Sequence, residues 1–220
     1  MLGDLGPAPV VVAADSGLEH AAALGLLAGW VVGDMDSVDA RVLATAAGTG
    51  VTVDRHPAAK DATDLDLAVA RALAARPSRL VVVTGAGDRF DHALAVALSL
   101  AAPDLPPVPT EAFVGAAHLW VVRGLVALPG RRGDLVSLLP LHGPARGVRT
   151  SGLAYPLEDE DLLPGSTRGV SNVWADEVAT VTVRSGVLLA VAPGQRAAPE
   201  AVPRRFGRPG GGGGTIRGWT

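Results

Sequence analysis

A chain of 220 residues with a net charge of −3 is long enough to bury one large core or two modest ones. The slight acidity argues against a nucleic-acid partner, because nucleic-acid-binding proteins usually present a basic face. The absence of cysteine excludes disulfides, thiolate zinc sites and a thiol nucleophile, so any bound metal must be held by oxygen or imidazole ligands.

The first half of the chain alternates short apolar runs with segments of helical periodicity. The predicted strands are 9–14, 30–32, 51–53 and 80–84, and the predicted helices are 16–28, 38–47, 63–75 and 91–101. The strands are continuously apolar, which is typical of a parallel sheet with both faces covered. We therefore predict a Rossmann-like α/β domain over residues 1–122.

The pattern changes after the proline-rich stretch 103–109. Short β-type runs separated by Gly and Pro turns follow, at 113–114, 119–122, 125–128, 135–139, 178–183 and 187–191. They predict an all-β sandwich domain over residues 123–193. Residues 194–220 are rich in Pro, Arg and Gly, with five consecutive glycines at 210–214, and are predicted to be a disordered tail to which no function is assigned.

Carboxylates cluster at three positions where a predicted strand leads into a helix. Asp34 and Asp36 follow the second strand, Asp64 opens the third helix, and Asp91 opens the fourth. A lone aspartate in such a place is usually a turn former or a helix cap. Three clusters at successive strand ends instead predict a Mg²⁺ site beside phosphate, because ligands of parallel sheets bind at the carboxyl ends of the strands.

Two basic residues accompany these carboxylates. Lys60 is the only lysine in the chain and precedes Asp61, and Arg89 lies two residues before Asp91. Both side chains suit phosphate recognition, Lys60 as a point charge and Arg89 as a planar fork. The alternative for each is a surface ion pair with a neighbouring aspartate.

With these residues in place, the chain resembles the thiamine pyrophosphokinase (thiamine diphosphokinase) family along nearly all of its predicted ordered length. The motifs that carry the resemblance in the first half are Asp15-Ser16-Gly17, Gly33 to Ser37, Asp61 to Asp64 and Arg89 to His92, and those in the second half are Ser137 to Pro140, Ser151 to Leu157 and Gly169 to Asn172. Ser16 and Glu19 depart from the family pattern.

The resemblance implies transfer of pyrophosphate from ATP to the hydroxyl of thiamine, which yields thiamine diphosphate and AMP. It implies a homodimer with the thiamine site near the subunit boundary. The implied catalytic and Mg²⁺-binding residues are Asp34, Asp36, Asp64 and Asp91; those that contact ATP are Asp15, Lys60, Asp61, Thr63 and Arg89; and those that contact thiamine are Tyr155, Ser171 and Asn172. Asp15 and Thr63 are equally well explained as capping residues.

Two other functions stay open at this level. One is a pyrophosphokinase for a different alcohol, such as a pterin, and the other is a non-catalytic nucleotide-binding or sensor protein on the same fold. No apolar run reaches the roughly 18 residues that span a bilayer, and no signal peptide is evident. These features predict a cytoplasmic protein without a membrane partner.

Overall fold

The structure is a computed structural model that describes residues 9–85 and 89–194. Its first five elements alternate strand and helix, as predicted. They are β1 (Val12–Ala14), α1 (Gly17–Ala23), β2 (Trp30–Gly33), α2 (Ala40–Gly48) and β3 (Thr52–Arg55). The three strands form a parallel sheet in the order β1, β2, β3, so their carboxyl ends lie along one edge.

The first sheet is buried because its central strand is apolar on both faces. Val31 and Val32 of β2 are almost completely buried. Side chains of α1 and α2, including Leu18 and Leu43, form one core cluster with Val31. Helix α3 (Asp64–Ala74) packs on β1 and β2.

Helix α3 begins with a capping box that involves Thr63 and Asp66. The Thr63 hydroxyl accepts a hydrogen bond from the Asp66 backbone N–H at 3.1 Å, and the Asp66 carboxylate accepts one from the Thr63 N–H at 3.1 Å. Each side chain satisfies a backbone donor that the first helical turn leaves without a partner. Thr63 is therefore the N-cap of α3, and Asp64 is the first residue of the helix.

The fourth predicted strand lies in a different sheet from the first three. β4 (Leu80–Thr84) pairs in parallel with β5 (Thr110–Val114), and α4 (Phe90–Leu100) follows β4. The sequence predicted one parallel sheet for all four strands. The structure divides them, because β4 finds its hydrogen-bonding partner in a strand that comes later in the chain.

Every helix or strand after α4 in the described residues is a strand, as the change of pattern predicted. The further strands are β6 (Ala117–Val122), β7 (Leu125–Pro129), β8 (Leu135–Ser151), β9 (Glu158–Leu162), β10 (Asn172–Val173), β11 (Val178–Thr182) and β12 (Ser185–Ala192). With β4 and β5 they form a nine-stranded sheet whose main path is β4-β5-β6-β12-β8-β11-β7, with β9 and β10 paired to β8. The fold is thus mixed α/β.

Strand β8 joins the parts of this large sheet. Its first half pairs with β12, where Leu138 lies opposite Ala190, and its second half pairs with β11, where Thr150 lies opposite Val181. His142 lies between these halves in a left-handed conformation with φ of 58°. The sequence predicted only 135–139 as a strand at this place, because the Gly and Pro residues beyond it are typical of turns.

The sequence did not predict strand β9, because four of its five residues are acidic and acidic residues are depleted in strands. Arginines on its partner β8 balance the charge. Arg149 lies 3.4 Å from Asp159, and Arg146 lies 2.8 Å from Asp161. Leu162 at the end of β9 is buried in the core.

The predicted limits at 122/123 and 193/194 stay predictions. The first falls in the turn between β6 and β7, although the nine-stranded sheet continues across it through the pairing of β6 with β12. Residues 195–220, nearly all of the predicted tail, lie outside the described residues. None of the helices in the described residues is long and apolar enough to cross a membrane.

We predict that Gly130→Ala destabilises the second half of the fold. A methyl group at this position would overlap the indole of Trp174, which is buried and donates a hydrogen bond to the Leu128 carbonyl at 3.1 Å. Overpacking of this kind costs about 1–3 kcal/mol of unfolding free energy, measurable by urea denaturation. Gly124→Ala is the matched control, since a methyl group there meets no atom within 4 Å. An equal loss in both variants would contradict the packing argument.

Candidate active site

The candidate active site begins at Asp15, the first residue after β1. Its backbone is left-handed, with φ of 44°, and its N–H donates to the carbonyl of Val32 on the adjacent strand at 3.0 Å. Its Oδ1 accepts a hydrogen bond from the backbone N–H of Met35 at 3.1 Å. The side chain is thereby directed towards the loop that follows β2.

Gly33 makes this approach possible. Its φ is 146°, and a side chain at this position would overlap the Asp15 carboxylate. Only glycine lets the end of β2 lie so close to that carboxyl group. In the motif Gly33 to Ser37, glycine is therefore required at the first position by the carboxylate of Asp15, which follows β1.

The loop after β2 supplies two more carboxylates. The Asp34 side chain accepts a hydrogen bond from the backbone N–H of Asp36 at 3.0 Å, and Met35 between them has φ of 67°. One oxygen each of Asp15, Asp34 and Asp36 lies within 4.8 Å of the other two. Oxygen ligands at such mutual distances match the preferences of a hard divalent cation.

Asp64 and Lys60 adjoin this cluster from the start of α3. The Asp64 Oδ1 atom is buried, makes no well-directed hydrogen bond among the described residues, and has the Lys60 ammonium 2.7 Å away as its counter-charge. The Asp64 carboxyl group also interacts with that of Asp15. The structure thus brings together Asp15, Asp34, Asp36, Asp64 and Lys60.

The electrostatics of the site follow from this crowding. Burial, together with the carboxyl groups of Asp64 and Asp34, raises the pKa of Asp15 to about 6, although the Met35 hydrogen bond opposes the change. The charge of Asp34 raises the pKa of Asp36. The adjacent carboxylate of Asp64 raises the pKa of Lys60, so the ammonium stays charged at neutral pH.

Arg89 and Asp91 are paired with each other instead of joining the described carboxylate cluster. The Arg89 Nη2 atom lies 2.6 Å from Asp91 Oδ2, and both side chains are more than half exposed. The pairing lowers the pKa of Asp91. Asp91 belongs to the helix after β4, which lies in the second sheet, whereas the clustered carboxylates follow neighbouring strands of the first sheet or open α3. Residues 86–88 lie outside the described residues.

The other residues expected to contact nucleotide have local roles. Asp61 is exposed, and the Thr63 hydroxyl serves in the capping box of α3. From the sequence, Asp15 is expected to contact the nucleotide or to cap a helix, and it is not predicted as a metal ligand. Its position at the end of the strand next to β2 was the available signal, because adjacent parallel strands end side by side.

Tyr155, Ser171 and Asn172 come together in the second sheet. The buried Asn172 accepts a hydrogen bond from the Tyr155 N–H at 3.0 Å and donates one to the Tyr155 carbonyl at 2.7 Å. The Ser171 N–H donates to the Ser137 hydroxyl at 3.1 Å, and Ser171 is left-handed with φ of 59°. Asn172 therefore anchors the loop that presents Tyr155, whose side chain is exposed.

Two family models together cover most of the chain. Residues 5–106 match the thiamin pyrophosphokinase catalytic domain, and residues 126–188 match the thiamin pyrophosphokinase vitamin B1 binding domain. The chain belongs to the thiamine pyrophosphokinase family. The resemblance seen in the sequence motifs is thereby confirmed, and so is the predicted function of a thiamine diphosphokinase.

Solved thiamine pyrophosphokinases share this fold. The Bacillus subtilis protein has a TM-score of 0.75 at 22% identity, with 89% of this chain and 94% of that chain covered. The Geobacillus thermodenitrificans protein has a TM-score of 0.72 at 23% identity, with 90% and 94% covered. The Candida albicans protein has a TM-score of 0.63 at 14% identity, with 83% and 81% covered. A comparison with curated proteins gives no match.

We predict that Asp15→Asn stabilises the protein at neutral pH. The native pKa of about 6 exceeds the ordinary 3.8, so the folded protein holds the proton more tightly than the unfolded chain. Stability contributed by protonated Asp15 is complete below pH 4 and is lost as pH rises through 6. Asparagine cannot ionise, keeps an acceptor for the Met35 N–H and tolerates positive φ.

The unfolding free energy of the variant should exceed that of the wild type by about 1–3 kcal/mol at pH 7.5, and the difference should shrink towards pH 4. Denaturation series in EDTA at several pH values measure it. A difference that does not change with pH would refute the electrostatic origin.

Proposed function

We propose that this chain transfers the pyrophosphoryl group of ATP to thiamine at the carboxyl ends of β1 and β2. The observation that carries the proposal is the carboxylate cluster of Asp15, Asp34 and Asp36 in a chain that contains both thiamine pyrophosphokinase domains. A polyphosphate cannot approach such a negatively charged cluster without a cation. The site is therefore suited to a metal–nucleotide complex and poorly suited to a free anion.

The donor set fits Mg²⁺, which prefers carboxylate oxygens and usually keeps several waters. Asp15, Asp34 and Asp36 would hold it, with Asp64 adjoining. We assign this role to Asp15 in preference to Asp91, because an oxygen of Asp15 lies within 4.8 Å of oxygens of Asp34 and Asp36, whereas Asp91 opens α4, which follows a strand of the second sheet. When bound, the ion would offset negative charge on the phosphates that the reaction redistributes.

Lys60 and Arg89 are proposed to bind the phosphates of ATP. The Lys60 side chain is 15% exposed and stays charged beside Asp64, so it can neutralise an incoming phosphate without moving far. Arg89 is 75% exposed, and its pair with Asp91 is weak enough to exchange for a phosphate. Asp61 and Thr63, close to Lys60 in the chain, are proposed to line the same pocket.

In the reaction, the hydroxyl oxygen of thiamine forms a bond to the β-phosphorus of ATP. The bond from that phosphorus to the oxygen shared with the α-phosphate breaks, and AMP leaves with the electron pair. The hydroxyl proton passes to a carboxylate or to solvent. The residues contribute by holding both substrates in line and by offsetting charge, as in phosphoryl transfer generally.

Thiamine is proposed to bind at the loop of Tyr155 and at Ser171. The Tyr155 ring is exposed and available for contact with a thiamine ring. One hydrogen of the Asn172 Nδ2 group is donated to the Tyr155 carbonyl. The second hydrogen of this group is the proposed donor to thiamine. Asn172 would thus hold the loop and touch the substrate at once.

The predicted domain division and a homodimer are proposed as well. The limits of the two family models are compatible with a Rossmann-like domain over 1–122 and a β-sandwich domain over 123–193. A homodimer is favoured by an apolar stripe on α4, where Phe90, Leu94 and Leu98 are 79%, 46% and 37% exposed at helical spacing. A cytoplasmic location stays a prediction.

The activity is tested by incubating the purified protein with ATP and Mg²⁺, with and without thiamine. AMP release that requires thiamine, with thiamine diphosphate identified by mass, would establish the proposed reaction. AMP release without thiamine would indicate ATP hydrolysis. No AMP under either condition, with ATP still bound, would favour a nucleotide sensor.

We predict that Asp36→Asn lowers kcat at least about 100-fold, because it removes a charged ligand from the cation site. Asp36 is exposed, so the variant should keep its thermal stability. Asp39→Asn is the matched control: Asp39 caps α2 through bonds to the Arg41 and Val42 N–H groups, which asparagine also accepts. Turnover within twofold of wild type in Asp36→Asn would remove this residue from the proposed site.

We predict that Asn172→Ala raises the KM for thiamine about 10-fold or more, with little change in the KM for ATP. The alanine leaves the backbone groups of Tyr155 without their partner, so the thiamine loop loses its anchor. Loss of these buried bonds should also lower stability by about 1–3 kcal/mol. Ser171→Ala separates the roles, since it removes a hydroxyl without disturbing that anchor. Equal increases in both KM values would argue against a thiamine-specific site.

A further inference from the structure

Helix α4 is held at its carboxyl end by residues of the second sheet. The Arg123 Nη2 atom, just after β6, donates a hydrogen bond to the Ala102 carbonyl at 2.6 Å. The His142 Nε2 atom, in the bend of β8, donates one to the Leu98 carbonyl at 3.0 Å. Ala101 lies between these carbonyls and is fully buried. Carbonyls at the end of a helix have no partner within it, so the two bonds satisfy them and fix the end of α4.

Ser99 lies in this last turn, and its hydroxyl contacts another helix. The Ser99 Oγ atom donates a hydrogen bond to the Oδ1 atom of Asp66 on α3 at 2.8 Å, and both residues are partly buried. A serine or threonine inside a helix often donates to the carbonyl four residues earlier, as Thr45 of α2 does to Arg41 at 2.8 Å. The Ser99 hydroxyl instead joins α4 to α3.

Apolar packing alone does not fix the distance between these two helices. Side chains of both, such as Leu65 and Val96, belong to one core cluster. A cavity of about 270 Å³ nevertheless lies beside the contact of Ser99 with Asp66, and residues of both helices line it, among them Leu65 and Leu100. Apolar contact is non-directional, whereas a hydrogen bond to a carboxylate defines a distance and an angle. The bond from Ser99 is therefore suited to set how α3 lies against α4.

The Asp66 carboxylate transmits this restraint to the first turn of α3. Its Oδ2 atom accepts hydrogen bonds from the Thr63 N–H at 3.1 Å and from the Thr63 hydroxyl at 2.7 Å, while its Oδ1 atom accepts the one from Ser99. Burial favours the protonated form, but the hydrogen bonds from Thr63 and Ser99 outweigh it and lower the pKa of Asp66. The group is therefore a charged acceptor at neutral pH, and it ties the N-cap of α3 to α4.

The ion pair of Asp64 and Lys60 lies next to this N-cap. Asp64 directly follows Thr63, and its Oδ1 atom is 2.7 Å from the Lys60 ammonium. The Asp64 carboxyl group also interacts with that of Asp15 at the end of β1. A displacement of the start of α3 would therefore move the ion pair relative to the carboxylates of the first sheet. Small displacements of this kind are costly where reacting groups must be aligned.

We propose that Ser99 and Asp66 are positioning residues for the metal–nucleotide complex. They hold the start of α3, and with it Lys60 and Asp64, at the edge of the first sheet. The inference rests on the proposed function, because that function assigns Lys60 to the phosphates of ATP. Neither Ser99 nor Asp66 needs to touch a substrate. The contacts run from the second sheet, through the end of α4, to the carboxylate cluster.

Ser99→Ala tests the proposal, because it removes the hydroxyl and keeps the helix, in which alanine is more favourable than serine. Isothermal titration calorimetry of the full-length protein with ATP in excess Mg²⁺ should give a Kd about 5-fold or more above that of the wild type. The KM for ATP should rise with it, while the KM for thiamine stays within about twofold. Ser99→Thr restores the hydroxyl and should return the Kd to within about twofold of the wild type.

Two further variants separate positioning from a general loss of stability. Thr45→Ala is the matched control, since its hydroxyl bonds within its own helix, and it should leave the Kd for ATP unchanged. Asp66→Ala should raise that Kd at least as much as Ser99→Ala, although the Thr63 hydroxyl still caps the backbone N–H of residue 66. Ser99→Ala should add nothing in the Asp66→Ala background, because Ser99 acts through Asp66.

An unchanged Kd in Ser99→Ala would overturn the proposal. So would effects of Ser99→Ala and Asp66→Ala that multiply in the double variant, since they would show that the two residues act independently. A loss that Ser99→Thr does not restore would also contradict it. Failure of the proposed function has a different signature: wild-type protein that binds ATP but forms no thiamine diphosphate would refute the reaction, whereas the comparison of Kd values would still decide the role of Ser99.

Discussion

Mutual repulsion among carboxylates is the constraint on which the site depends. Asp15, Asp34 and Asp36 present oxygens within 4.8 Å of one another, and Asp64 adjoins them. Partial burial of Asp15 makes this arrangement costly, as its raised pKa shows. Lys60 offsets part of the charge, and the proposed cation would offset the rest. A bound cation would relieve the repulsion among the carboxylates, and this relief would add to the affinity of the site for the cation.

The backbone around the cluster holds it in place despite that repulsion. Two adjacent parallel strands end side by side, Gly33 leaves room for the Asp15 carboxylate, and the Met35 N–H binds it. Positive φ angles at Asp15 and Met35 turn the chain sharply at both strand ends. Such strained positions persist only where the surrounding structure requires them.

In the second sheet, Asn172 and Trp174 lie on one short segment and have different structural roles. Asn172 holds the loop of Tyr155, while Trp174 fills the core beneath Gly130. Both depend on β8, to which β10 pairs. The loop proposed to bind thiamine is therefore anchored to the longest strand among the described residues, which can fix its position although the loop has no regular secondary structure of its own.

The sequence by itself determined the alternation of the first half, the β character of the second, and the residue types of the site. Apolar periodicity and motif spacing are local properties, which the order of residues contains directly. The approach of Asp15 to Asp34 and Asp36, the division of the strands between two sheets, and the acidic strand β9 were decided by tertiary structure. Strand neighbours depend on hydrogen-bond partners far apart in the chain, and the arginines that make β9 tolerable lie on β8 and beyond it. Pairing over such distances is a property of the packed molecule, which no window along the sequence contains.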